Sequence, residues 1–192
     1  MKVMTKYNKI KEYAIENHVP IISNEGLEFI IDIIKQNNIK KVLEIGSAIG
    51  YSAISFAMND CFVTTIERND EMYNLAIKNI SDLGFNEEIK IIKGDALLID
   101  DIKEEFDLIF IDAAKAQYQK FFEKYQVNLS KNGIIICDNL NFHNLDITKV
   151  SRSTRQLITK LENFKNYLKE NNDYQTTFYN VGDGMSVSKK RN

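Results

Sequence analysis

The order of apolar runs and helical periods predicts an α/β fold, a doubly wound sheet of seven strands with the last antiparallel and helices on both faces. Three observations carry this reading. In Lys41 to Ser52 an apolar run passes into a glycine turn that opens a helix. Phe106-Asp-Leu-Ile-Phe-Ile-Asp112 is almost wholly apolar, as suits the middle of a parallel sheet covered on both sides. The chain closes with two strand-like runs, Tyr174 to Tyr179 and Met185 to Lys189, joined by the turn Val181-Gly-Asp-Gly184.

Taken in order, Tyr7 to Asn17 and Glu25 to Asn37 place apolar residues at helical spacing, the second through Leu27, Ile30, Ile31 and Ile34, with Asn24 as its N-cap. Val42, Leu43 and Ile45 form the first strand, Gly46 the turn, and Gly50 to Asn59 the helix that packs back. Val63 to Glu67 is the second strand, followed by a helix from Glu71 to Leu83 that Gly84 stops. Ile89 to Lys93 is the third strand, ending at Gly94-Asp95-Ala96. After the fourth, Phe106 to Asp112, comes a helix over Gln117 to Asn128. Asn132-Gly133 then turns into a fifth strand, Ile134 to Cys137, which ends at Asp138-Asn139. A long helix over Ser153 to Glu170 precedes the final hairpin.

The 192 residues fit one domain, 1–192, in which residues 1–38 are helices that cap the site. A net charge of -2 argues against a protein that coats nucleic acid, while allowing a basic patch on one face. Cys61 and Cys137 lie inside apolar runs and read as buried, reduced thiols of a cytoplasmic protein. The lysine-bearing N-terminus has no apolar core of a signal peptide, and no run reaches the roughly 18 apolar residues of a membrane span.

The chemistry gathers where the strands end, since ligands of such sheets lie outside the carboxyl ends. After Gly46 the next glycine is Gly50, so the G-x-G-x-x-G pyrophosphate fingerprint is missing and a nicotinamide dinucleotide is disfavoured. Glu67, about twenty residues past the turn, is placed to accept both hydroxyls of a ribose, and Asp95 and Ala96 to edge an adenine. Asp112 and Asp138-Asn139 end strands that should be neighbours, which brings two carboxylates and an amide oxygen together. Three hard oxygen ligands without His or Cys suit Mg²⁺, with Ca²⁺ or Mn²⁺ able to substitute. Lys115 stands three residues past Asp112, within reach of a hydroxyl held on such an ion. His143 and His18 read as loop residues, and the tail Lys189-Lys-Arg191 as a charged, frayed end.

The motifs VLEIGSAIGYS, TIERN, GDA, FDLIFIDAAKAQYQKFF and IIICDN resemble those of the S-adenosylmethionine (SAM)- and metal-dependent O-methyltransferases of the catechol and caffeoyl-CoA type. The match runs from about Val19 to Val187. Within that group the chain is most similar to bacterial tRNA 5-hydroxyuridine methyltransferases, through Val19-Pro-Ile-Ile with Glu25-Gly26, Asp112 to Gln119, and Ser153-Thr-Arg-Gln156. One departure follows Pro20, where the chain reads Ile-Ile-Ser-Asn and such relatives carry Met-Glu-Pro.

The resemblance implies a Rossmann-like class I methyltransferase sheet. It implies that Ile22, Glu44, Gly46, Ser47, Ser52, Glu67, Arg68, Asp95, Ala96 and Asp112 line the SAM site, that Asp112, Asp138 and Asn139 bind Mg²⁺, and that Lys115 is the catalytic base. It also implies a homodimer. The expected reaction is in-line attack of a substrate oxyanion on the SAM methyl. Catechol offers a pair of neighbouring oxygens for the ion, and so does 5-hydroxyuracil through O5 and O4.

Between Thr148 and Glu170, Lys149, Arg152, Arg155, Lys160, Lys165 and Lys169 outnumber Glu162 and Glu170, which makes a basic helix that could hold anticodon phosphates. The expected substrate is therefore the wobble base of tRNA, with a small phenol as the alternative. A non-catalytic RNA-binding protein on the same fold is disfavoured, because the cofactor and metal positions are intact.

Overall fold

The computed structural model describes residues 2–141 and 150–191. Six helices, α1 (Lys2–Glu16), α2 (Asn24–Gln36), α3 (Tyr51–Ala57), α4 (Asp70–Leu83), α5 (Tyr118–Tyr125) and α6 (Arg152–Glu170), accompany seven strands among these residues. The strands are β1 (Lys41–Ile45), β2 (Phe62–Glu67), β3 (Ile89–Lys93), β4 (Phe106–Ile111), β5 (Leu129–Cys137), β6 (Tyr174–Tyr179) and β7 (Met185–Lys190). They form one sheet in the order β3-β2-β1-β4-β5-β7-β6. The first five pair in parallel, and β7 runs antiparallel to both β5 and β6. The predicted antiparallel strand is thus the last in the chain, yet it lies inside the sheet with β6 at the edge.

Period-two alternation divides the strand residues between two apolar layers. Val42, Leu108, Phe110, Ile134 and Ile136 pack under α1 to α4, whereas Leu43, Ile109, Ile111, Ile135 and Cys137 pack under α5 and α6. Each fully buried Leu, Ile or Phe of these layers contributes about 1.5–3 kcal/mol relative to an exposed side chain. Tyr7 fastens α1 to α3 by stacking on Tyr51 at 4.7 Å.

Element ends differ from the sequence reading in ways that have local causes. Ser23, not Asn24, caps α2: its hydroxyl accepts the Gly26 N–H at 3.1 Å, and Asn24 is the first helical residue. The strand expected from Ile134 begins at Leu129, because a bulge against Phe106 and Leu108 absorbs the polar stretch before Gly133. A Cβ at Gly133 would stand 2.6 Å from the Leu129 side chain, so a larger residue there would have to displace Leu129. The helix expected over Gln117 to Asn128 is α5 flanked by 3-10 turns at Lys115–Gln117 and Gln126–Asn128. The helix expected to run to Asn59 ends at Ala57.

The strand order reverses between β1 and β4, so the crevice of this sheet opens there. Gly46 adopts φ +97°, and a Cβ on it would lie 2.2 Å from the Asp112 carbonyl oxygen. Gly46→Ala is therefore expected to cost at least about 2 kcal/mol of stability, from left-handed backbone strain and a backbone clash together. Chemical denaturation of the two proteins checks this.

Candidate active site

The β-ladder continues one residue past each strand and sets the site in a row. Gly94 N–H donates to the Glu67 carbonyl, Gly46 N–H to that of Ile66, Asp112 N–H to that of Ile45, and Asp138 N–H to that of Ile111, at 2.9 to 3.2 Å. Residues spread from Gly46 to Asp138 in sequence thus share one edge of the sheet, on the side where the glycine turn lies.

The glycine turn forms the first half of this edge. Glu67 accepts the Ala48 N–H on Oε2 at 2.9 Å and the Asn69 N–H on Oε1 at 2.8 Å, which fixes the carboxylate beside the turn. Ala48 takes φ +44°, a strained conformation for a residue with a Cβ, and the Glu67 bond holds it. An ionised carboxylate has about four acceptor positions, so two remain for a ribose diol. The Ser47 hydroxyl is buried and has no hydrogen-bond partner among the described residues. Such an orphaned polar atom beside a glycine turn fits a ligand with a polar amino-acid end.

Glu44 is fully buried beneath the turn. Its Oε1 accepts from the Ser52 hydroxyl at 2.5 Å, and its Oε2 accepts from the Thr65 hydroxyl, its cross-strand neighbour on β2. Burial pushes its carboxyl up to about 7, with the two hydroxyl bonds opposing the rise and the Asp112 and Glu67 charges adding to it. Thr65 entered the sequence reading only within the second strand and as the first residue of the TIERN motif, with no role of its own.

Around these residues, Ile22 is buried just before α2, and Arg68 is exposed past the end of β2. Asp95 Oδ1 is engaged by the Leu97 N–H at 2.9 Å. Ala96 is buried, with its carbonyl accepting from the Tyr125 hydroxyl at 2.6 Å.

The second half of the edge holds Asp112, Asp138 and Asn139. Asn139 Nδ2 donates to Asp112 Oδ1 at 2.9 Å, and its backbone N–H donates to Asp138 Oδ1 at 2.7 Å, so the three residues form one connected group. Asn139 adopts φ +60°, a left-handed turn that aims its amide back at Asp112. Burial raises the Asp112 carboxyl to about 6, against the Asn139 bond and the Lys115 charge. Asp138 rises to about 7 through burial and the Asp112 charge. Asp183, in the turn between β6 and β7, raises both, a residue that the sequence reading treated only as part of a turn.

The donor set fits a hard divalent cation, which would offset the desolvation and mutual repulsion of the two carboxylates. Among the described residues no three His, Cys, Asp or Glu side chains gather in one place, so the set consists of two carboxylates and one amide. Lys115, half-buried in the 3-10 turn after β4, lies within electrostatic reach of both aspartates. His143 and Lys149 lie outside the described residues.

The folded-state values of Glu44, Asp112 and Asp138 lie above their ordinary values of 4.5, 3.8 and 3.8. The folded protein therefore binds the extra protons. Their contribution to stability is full below about pH 4 and is lost as the pH rises through about 6 to 7. The metal-free protein should melt at a higher temperature near pH 5 than near pH 8, as differential scanning calorimetry would show. Ser52→Ala, which leaves buried Glu44 one donor short, should cost about 1–3 kcal/mol in the same instrument.

A family model described as O-methyltransferase matches residues 2–191. A Staphylococcus aureus crystal structure, provisionally described as a caffeoyl-CoA O-methyltransferase, superposes with a TM-score of 0.91 at 41% identity, covering 96% of this chain and 92% of that one. A Bacillus cereus O-methyltransferase solved with S-adenosylhomocysteine shares the fold, with a TM-score of 0.84 at 21% identity over 97% of this chain and 91% of its own. The caffeoyl-CoA O-methyltransferase of Populus kitakamiensis is 26% identical over 94% of this chain and 82% of its own length. The protein belongs to the O-methyltransferase family.

Proposed function

We propose that this O-methyltransferase uses a divalent cation, Mg²⁺ in the first instance, to methylate 5-hydroxyuridine at the wobble position of tRNA, giving 5-methoxyuridine. The observation that supports an RNA substrate is the placement of α6. This helix packs against the 3-10 turn that carries Lys115, and Lys165 Nζ reaches Asn141, two residues beyond the acidic group, at 3.5 Å. Leu161, Phe164 and Leu168 anchor the helix to the core, while Arg152, Arg155, Lys160 and Lys169 are exposed along it. An excess of basic over acidic residues on a helix that packs beside Lys115 suits phosphates on either side of an unpaired base.

When bound, SAM supplies an electrophilic methyl group, and the cation supplies a Lewis acid for two neighbouring substrate oxygens. The chain does the positioning. Glu67 holds the ribose, the Gly46 turn and Ser47 receive the amino-acid end, and Asp112, Asp138 and Asn139 hold the ion. Lys115 takes the proton from the substrate hydroxyl. We also infer a homodimer, supported by the exposed apolar residues Val3, Met4 and Ile15 on α1.

A catechol-like small phenol is the second reading, favoured by the descriptions of the plant and Staphylococcus relatives. Labelled methyl transfer to tRNA carrying 5-hydroxyuridine, run beside a simple catechol, separates the two. The tRNA reading expects rapid 5-methoxyuridine formation and poor turnover of catechol, and the reverse result makes the enzyme one of small molecules. The double variant Arg155→Glu, Lys160→Glu should raise KM for tRNA and flatten its salt dependence, without changing catechol turnover. Asp138→Ala, or EDTA added to the wild type, should lower methyl transfer by about 100-fold or more on either substrate. Full activity in EDTA would remove the cation from the account.

A further inference from the structure

Tyr118 is the first residue of α5, directly after the 3-10 turn that carries Lys115. It is 1% exposed. Its ring packs edge-on against Phe164 of α6, with centroids 5.9 Å apart, which fixes its orientation. Tyr125, at the other end of the same helix, gives its hydroxyl to the Ala96 carbonyl. The Tyr118 hydroxyl has no hydrogen-bond partner among the described residues. A buried hydroxyl is rarely left unpaired in a native protein, so the atom calls for a partner that becomes available in some state of the site.

The surroundings indicate which partner. Tyr118 packs in the same buried layer as Ile111 and Cys137, the residues that immediately precede Asp112 and Asp138. Burial, joined by the charges of Asp112, Cys137 and Asp138, holds its phenol well above its usual range. It is therefore a hydrogen-bond donor in every working state. Asn139 already occupies Oδ1 of both aspartates. The second oxygen of each carboxylate remains to be shared between a cation and a further donor.

We propose that Tyr118 is a positioning residue of the acidic site, its hydroxyl donating one hydrogen bond to a carboxylate oxygen of the Asp112–Asp138 pair when a divalent cation is bound there. The proposal rests on the cation reading given above. Tyr118 would orient the ligand carboxylates, as outer-shell donors do at other metal sites, without touching substrate. The sequence hides it, because a tyrosine in the first turn of an amphipathic helix reads simply as core.

Tyr118→Phe removes one atom and preserves the ring packing. The test titrates Mn²⁺ into SAM-free wild type and Tyr118→Phe and reads free Mn²⁺ by electron paramagnetic resonance, with S-adenosylhomocysteine affinity measured alongside. The expected result is Mn²⁺ binding weakened roughly tenfold or more in the variant, with unchanged S-adenosylhomocysteine affinity. Equal Mn²⁺ affinity in the two proteins would overturn the role of Tyr118 and leave the cation reading standing. Failure of the wild type to bind Mn²⁺ would overturn both. If the variant does not fold, the near-ultraviolet difference spectrum of the wild type on adding Mn²⁺ decides instead. A tyrosine perturbation supports the hydrogen bond, and its absence contradicts it.

Discussion

Everything at this site depends on the close approach of two strand ends, β1 and β4. The Gly46 turn presses its backbone against the Asp112 carbonyl so tightly that a single added carbon would stand 2.2 Å from it. One side of that contact is the glycine turn, and the other begins the acidic group. The ladder that runs on from Gly94 to Asp138 keeps these ends in step, so a shift of any one strand would move both halves of the site together. Sequence separations of tens of residues collapse to adjacent positions because the strand order reverses between β1 and β4.

The same placement sets the electrostatics. Glu44, Asp112 and Asp138 are carboxyls gathered where burial favours their neutral forms, with values raised to about 7, 6 and 7. Such groups weaken the fold when charged. Glu44 is compensated inside the protein by Ser52 and Thr65. Among the described residues, Asn139 and the field of Lys115 offset Asp112 and Asp138, and a divalent cation would relieve what remains.

The parallel strands and their order of appearance were legible because a buried strand leaves a continuous apolar run, and the residue that ends it is conspicuous by polarity. Asp112 and Asp138 stand out in this way against FDLIFI and IIIC. Other features were not legible, for identifiable reasons. Ser23 and Asn24 are both good caps, and only backbone geometry distinguishes them. The early start of β5 is hidden by polar residues that a bulge accommodates. Thr65 matters through its register opposite Glu44, and register is a property of the paired strands. Tyr118 resembles any core aromatic until its hydroxyl is found without a partner among the described residues. The position of β7 between β5 and β6 is likewise invisible in a hairpin pattern, which says that the two strands pair but not which of them meets the sheet.

The most direct test of the account is a diffraction experiment on crystals grown with SAM and Mn²⁺, using the anomalous signal of the metal. The account predicts a single strong peak bounded by Asp112, Asp138 and Asn139, with the SAM ribose on Glu67 and its amino-acid end at the Gly46 turn. SAM bound there with no anomalous peak among those three residues, or with the peak elsewhere, would contradict it.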